Sequence, residues 1–199
     1  MNISLDTLRS DRFEHLTLRK GWKNVVNGLE AALGIGFEKV KLNCVVMRGI
    51  NDDEILDFAN LAEKYPIEVR FIEFMPFAAN NWSQNVLVPY KEIFEAVSRR
   101  YPKLERVKGD KNETSKVFRS AEQMLGSIGF ITSMSENFCS GCNRIRLTAD
   151  GNLKACLFGA GEVSLRDPIR AGASDIEIVD LLSACLKKKS KQRAGELPT

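Results

Sequence analysis

Three segments of alternating polarity, separated by two amphipathic ones, constrain this chain more than anything else in it. In Asn2–Asp6, Ile3 and Leu5 take one side, Ser4 and Asp6 the other. In Val40–Val46, Val40, Leu42, Cys44 and Val46 share a face and Lys41 and Asn43 the opposite one; Ile67–Phe74 reads as a third strand, stopped by Pro76. Between the first two strands, Trp22, Val25, Val26, Leu29, Ala32 and Leu33 recur at helical spacing, and Gly34 and Gly36 end that helix. Between the second and third, Ile55, Phe58, Ala59 and Ala62 form the stripe of a helix running to Lys64, with Asn51 or Asp52 as its expected N-cap. Strand, helix, strand, helix, strand is the grammar of parallel β/α units. The sides opposite the helices carry Ser4, Asp6, Lys41, Asn43 and Arg70. A packed barrel interior is filled by branched apolar residues, so a polar interior face points to a lumen that holds a ligand. An antiparallel edge with one wetted face is the competing reading, and the intervening helices count against it.

Composition excludes more than it identifies. The 199 residues suffice for one domain or part of a larger one, and 44% hydrophobic with 28% charged residues is ordinary for a globular protein. A net charge of +3 is too mild to argue for nucleic acid. No apolar run reaches membrane-spanning length, no internal repeat is visible, and Met1 opens no signal or transit pattern. Residues 7–20 read as a polar, basic loop. Pro89 suits the first turn of a helix running to Tyr101, residues 103–120 read as a mobile surface loop, and Ile128–Ser133 as a short strand. Ser164–Pro168 is expected to be extended to turn. Ser174–Glu177 is a capping box opening a helix to Lys188, and the last ten residues are expected to be disordered.

The chemistry concentrates after residue 138. Cys139 and Cys142 form a C-x-x-C pair, and Cys156 follows after thirteen intervening residues. Asp150-Gly151 predicts a two-residue hairpin turn, which folds Cys156 back toward that pair. Convergent thiolates suit a soft metal centre. A structural zinc site wants a fourth ligand, but the only histidine is His15 and Cys185 sits on a predicted helix. A disulfide fits poorly with an odd count of five cysteines. An iron–sulfur cluster held by three cysteines, with one iron open, is the third candidate; spacing alone does not separate it from zinc, and the missing fourth ligand favours it. Arg144 and Arg146, two apart, project to one face, and guanidiniums are suited to phosphate or carboxylate. By spacing alone, two solvent-facing arginines remain the simpler reading.

The run FCxxCNRxRLTADGxLxxCLFG at Phe138–Gly159 closely resembles the C-terminal cluster motif of the molybdenum cofactor biosynthesis protein A family. These are the GTP 3′,8-cyclases of the radical S-adenosylmethionine superfamily, and the resemblance extends from Asn2 to about Lys189. The Val69–Pro76 and Val163–Asp167 stretches look most like its animal, mitochondrial branch. The resemblance implies an α/β fold: the C-terminal part of a partial (β/α)6 TIM-type barrel, followed by a small cysteine-containing hairpin and helix region. It implies residues 1–76 as the last barrel units, 77–189 as the cluster and GTP-binding region, and 190–199 as a tail. By the same resemblance Ser4 and Met75 contact S-adenosylmethionine and Lys41 and Arg70 grip the GTP phosphates. Arg144 and Arg146 flank the substrate, and Cys139, Cys142 and Cys156 hold a 4Fe–4S cluster whose open iron takes the guanine. The implied reaction begins with a deoxyadenosyl radical that takes a hydrogen from the GTP ribose; C3′ then closes on C8, on the way to the molybdopterin cofactor. Of these groups the residues by themselves mark Lys41, Arg70, Arg144 and Arg146, and give no reason to choose Ser4 or Met75.

Two departures stand beside the match. The superfamily's C-x-x-x-C-x-x-C radical motif is absent, Cys44 standing alone, so this chain is expected to be a C-terminal half that does not cleave S-adenosylmethionine by itself. The family's Gly-Gly tail is replaced by Ala194–Thr199. A zinc-stabilised binding module, with the three cysteines as a knuckle, is the rival from another class; no aromatics interleave with Arg144 and Arg146, which counts against base stacking. Expected partners are GTP and a second copy or a full-length subunit, with neither nucleic acid nor membrane. The expected location is intracellular, in the mitochondrial matrix by resemblance.

Overall fold

The computed structural model describes residues 1–77, 80, 82–109, 112–136, 141–157 and 161–187. The chain divides into two compact units, Met1–Glu136 and Asn137–Thr199.

In the first unit the alternating segments become strands β1 (Asn2–Ser4), β2 (Val40–Val46) and β3 (Ile67–Glu73). Helices α1 (Ser10–Thr17) and α2 (Trp22–Ile35) separate β1 from β2, and α3 (Ile55–Lys64) separates β2 from β3. After α4 (Tyr90–Arg100) come β4 (Glu105–Arg106), β5 (Lys116–Arg119) and β6 (Ser127–Ile131). The described strands form one sheet in the order β1-β2-β3-β6-β5-β4; β1, β2, β3 and β6 run parallel, and β5 and β4 close one side antiparallel. The fold is therefore mixed α/β with a mainly parallel sheet. Burial alternates strictly along β2 and β3. Their apolar side packs on Phe58, Ala59 and Ala62 of α3 and on Leu29 and Ala32 of α2. Phe130 of β6 centres an aromatic cluster, with ring centroids 5.3 Å from Tyr90, 5.7 Å from Phe94, 5.7 Å from Phe118 and 6.0 Å from Phe71.

The structure departs from several expectations of the sequence. Residues 10–17 are helical, not loop: Arg12 reaches Asp53 at 2.6 Å and also pairs with the buried Glu54, so ion pairs hold a helix whose apolar periodicity is weak. Residues 103–120 contribute β4 and β5, whose charged exposed sides hid one inward Phe118. Such charge is how edge strands avoid pairing with other chains. Neither Asn51 nor Asp52 caps α3. Asn51 Oδ1 accepts the Met47 N–H at 2.7 Å and Asp52 Oδ1 the Gly49 N–H at 2.8 Å, so both brace the turn before it. Gly126 is required sterically, since a Cβ there would collide with the Tyr65 and Ile67 carbonyls where β6 meets β3.

The second unit holds a small antiparallel sheet of β7 (Arg146–Leu147), β8 (Asn152–Lys154) and β9 (Glu162–Ser164), then α5 (Arg166–Arg170) and α6 (Asp175–Lys187). Residues 166–170 are thus helical rather than extended. The β7–β8 connection is a three-residue loop, 149–151, not two. Thr148 N–H donates to the Asn152 carbonyl at 2.9 Å, and Gly151 takes φ 83°, the left-handed residue that three-residue hairpin loops use. The capping box forms: Ser174 hydroxyl and N–H each donate to Glu177 Oε2 at 2.8 Å. Residues 190–199, read as a disordered tail, lie outside the described residues.

Candidate functional site

Register places the polar side chains of the parallel sheet in rows. Asn2, Lys41, Glu68 and Ser127 form one row; Ser4, Asn43, Arg70 and Gly129 form the next. In a parallel sheet such in-register neighbours share a face about 5 Å apart. Lys41, Asn43, Glu68 and Arg70 are half-buried on it, while their flanking residues are buried on the other side. Arg70 is drawn in most: its side chain is 11% exposed, its Nε donates to Glu68 Oε1 at 2.6 Å, and its Nη2 stands 3.7 Å from Glu113 Oε1. Gly129 makes room for this, because a Cβ there would run into Ser115 Oγ, Glu68 and the Arg70 stem. Two buried polar atoms on this side, Asn43 Oδ1 and Ser115 Oγ, find no hydrogen-bond partner among the described residues. A buried acceptor without a donor costs on the order of 1–3 kcal/mol, so it marks a place where a ligand or water belongs. The sequence put Asn43 on the polar face but gave it no role; its orphaned oxygen between Ser4 and Arg70 is visible only after folding.

A cavity of about 360 Å³ opens beside Lys41 and Glu68, with Lys39, Lys108, Glu113 and Arg119 also in its wall. It lies at the amino ends of β2, β3 and β6, whereas ligands of α/β sheets gather at the carboxyl ends. Among the described residues Ser4, Arg70 and Met75 do not line it. The chemistry of the row is therefore a better guide to a site than this hollow. Met75 lies two residues past β3, half-buried, its carbonyl accepting from Asn80 Nδ2 at 2.8 Å.

Asp6, two residues past β1, accepts the Val45 N–H at 2.8 Å, and burial pushes its carboxyl above the usual aspartate range against the pull of that bond. A raised folded pKa means the protonated form is favoured on folding. The resulting stability is complete below about pH 4 and is lost as pH rises through the folded value. Asp6→Asn, which keeps the acceptor, is expected to gain stability over the parent at pH 7 but not at pH 3.5. Urea unfolding at both values reads this, and an equal gap at the two would contradict it. Cys44 is buried, and desolvation, reinforced by Asp6 and Glu54, pushes its thiol well up, so it is a core residue and not a nucleophile.

In the second unit, Cys142, Arg144 and Arg146 are half-buried while Asn143, Ile145 and Leu147 are exposed. This alternation puts the thiol and both guanidiniums on one side of the arm leading into the hairpin. Cys156 lies on the returning arm two residues past β8 and is also half-buried. The donor chemistry thus fits a soft metal at the open end of the hairpin. Cys139, the third expected ligand, lies outside the described residues, and among the described residues no group of three ligating side chains assembles.

Residues 67–194 match the sequence pattern of Molybdenum Cofactor Synthesis C. The chain belongs to this molybdenum cofactor synthesis family. Its relatives include the mitochondrial GTP 3′,8-cyclase of Arabidopsis thaliana, 51% identical over 99% of this chain and 50% of the relative. Molybdenum cofactor biosynthesis protein 1 of Homo sapiens is 51% identical over 98% of this chain and 30% of its own length. The GTP 3′,8-cyclase of Moorella thermoacetica is 46% identical over 98% of this chain and 60% of its own. The chain therefore spans between about a third and somewhat over half of these molybdenum cofactor synthesis proteins. None of these names favours the zinc-stabilised binding module.

Proposed function

We propose that this chain is the substrate-holding portion of a GTP 3′,8-cyclase in molybdenum cofactor biosynthesis, a lyase of the radical S-adenosylmethionine type. The observation that carries the reading is the second row of the parallel sheet. Ser4, Asn43 and Arg70 stand side by side, and the buried Asn43 oxygen, unpartnered among the described residues, lies between two neighbours that the family resemblance assigns to cofactor and phosphate. Lys41 and Arg70 supply the cationic pair for the triphosphate. Arg70 is already desolvated and held by Glu68, so its guanidinium is oriented before the anion arrives. Ser4 and Met75, near the carboxyl side of the sheet, would meet S-adenosylmethionine, and Asn43 Oδ1 would accept from a hydroxyl or amino group of either ligand.

Cys139, Cys142 and Cys156 would hold a 4Fe–4S cluster, with Arg144 and Arg146 on the Cys142 side to fix an anionic or electron-rich substrate. When bound, the cluster offers an open iron to the guanine, and S-adenosylmethionine with its own cluster supplies the hydrogen-abstracting chemistry. The residues of this chain bind, orient and desolvate GTP so that C3′ can close on C8. In this reading 1–76 are the last units of a partial (β/α)6 barrel and 77–189 the cluster and GTP region, completed by the remainder of a longer chain or by a full-length or second subunit. The name of the Arabidopsis relative supports a mitochondrial location.

The test is anaerobic reconstitution of the chain, followed by iron, sulfide and zinc determination and electron paramagnetic resonance of the reduced sample with and without GTP. About four irons per chain and a signal that GTP perturbs are expected. Stoichiometric zinc, or iron whose signal ignores GTP, would overturn the reading.

A further inference from the structure

We infer that Glu73 is a positioning residue whose buried carboxylate sets where the chain leaves the parallel sheet for the cysteine stretch, an inference that rests on the cluster-and-GTP reading above. Glu73 is the last residue of β3 and is 1% exposed. Its Oε1 accepts from the Tyr90 N–H at 2.7 Å and the Ser135 hydroxyl at 2.5 Å; its Oε2 accepts from the Met134 N–H at 2.6 Å and the Ser135 N–H at 2.8 Å. The Ser133 hydroxyl donates to the Glu73 carbonyl at 3.4 Å. A buried carboxylate survives without a cation only where donors satisfy it, and this one collects four.

Three segments meet on this group. The first is the end of β3, three residues after Arg70 and two before Met75. The second is the first turn of α4, where Pro89 offers no side-chain cap and the Glu73 carboxylate takes that place. The third is the turn after β6, whose Ser135 is four residues ahead of Cys139. Capping α4 would occupy one oxygen. The other is given wholly to the main chain of 134–135, the exit toward the thiols. The same side chain therefore ties the strand that bears the phosphate-gripping arginine to the point from which the cysteine stretch departs.

Glu73→Gln is nearly isosteric, yet whichever oxygen becomes the amide nitrogen must face main-chain N–H donors, those of Met134 and Ser135 or that of Tyr90. In the reconstituted full chain, E73Q is expected to keep its far-ultraviolet circular dichroism. Amide exchange at 134–135 should accelerate about ten-fold or more. The GTP-induced change in the reduced resonance signal should need about ten-fold more GTP or disappear. Accelerated exchange with an unaltered GTP titration would overturn the inference, leaving Glu73 a brace only; unaltered exchange would overturn it too. Should E73Q fail to fold, Ser135→Ala removes a single donor, and a GTP response weakened by about three-fold is then expected; an unweakened one counts against the inference. A parent chain that takes no iron and ignores GTP removes the functional reading and this inference together, whereas a responsive parent confines any failure to Glu73.

Discussion

Cys156→Ser is expected to abolish the cluster: iron falls from about four per chain to background, and the GTP-sensitive resonance signal vanishes with it. The loss is all-or-none because a thiolate is a soft, readily deprotonated ligand and a serine hydroxyl is neither. On the proposed set of three cysteine ligands with one open iron, there is no spare donor; Cys142 and Cys156 occupy the two arms of the hairpin, and a fourth protein ligand is not at hand among the described residues. The geometry of the hairpin itself does not depend on the thiol, since Thr148, Asn152 and the left-handed Gly151 hold the turn. The circular dichroism of the variant should therefore match the parent's. Cys44→Ser and Cys185→Ser are the controls: both residues are buried away from any role in the reading, and both variants should retain iron. A Cys156→Ser protein that still binds four irons and responds to GTP would place the cluster elsewhere.

Phe130→Ala should lower the stability of the first unit by about 3–5 kcal/mol, or on the order of 10 °C in the thermal midpoint. Phe130 is 1% exposed, and it joins the parallel sheet to α4 and to the antiparallel edge through Phe71, Tyr90, Phe94 and Phe118. Removing the ring loses its transfer free energy and leaves a cavity between layers that cannot all collapse toward it. Near-ultraviolet circular dichroism and calorimetry read the effect. Leu125→Ala, at a side chain 61% exposed, supplies the near-neutral comparison. A midpoint within about 2 °C of the parent would mean that Phe130 is not the keystone of this layer.

How much could be read before folding varied with the kind of interaction that holds each element. The strands Val40–Val46 and Ile67–Glu73 and the helix Ile55–Lys64 came out at nearly the right residues, because each buries one face and writes that burial into its spacing. Helix Ser10–Thr17 was missed because Arg12, Asp53 and Glu54 hold it, and partners more than forty residues apart leave no local pattern. The strands at 105–106 and 116–119 were missed because their outward charges resemble a loop. The hairpin was legible from Asp150-Gly151, although the loop has one residue more than the dipeptide implies.

For the site, the amino-acid order alone settled which residue types are available and on which side of each strand they stand: period-two alternation put Ser4, Lys41, Asn43 and Arg70 on one face of their strands and Arg144 and Arg146 on one face of theirs. It could not say which strand lies beside which, nor at what offset. Register decided that Ser4, Asn43 and Arg70 form one row, that Gly129 gives Arg70 its room, and that Glu73 meets Tyr90, Met134 and Ser135. Those relations join residues far apart in the chain, and hydrogen bonding and burial select among them only when the whole sheet assembles.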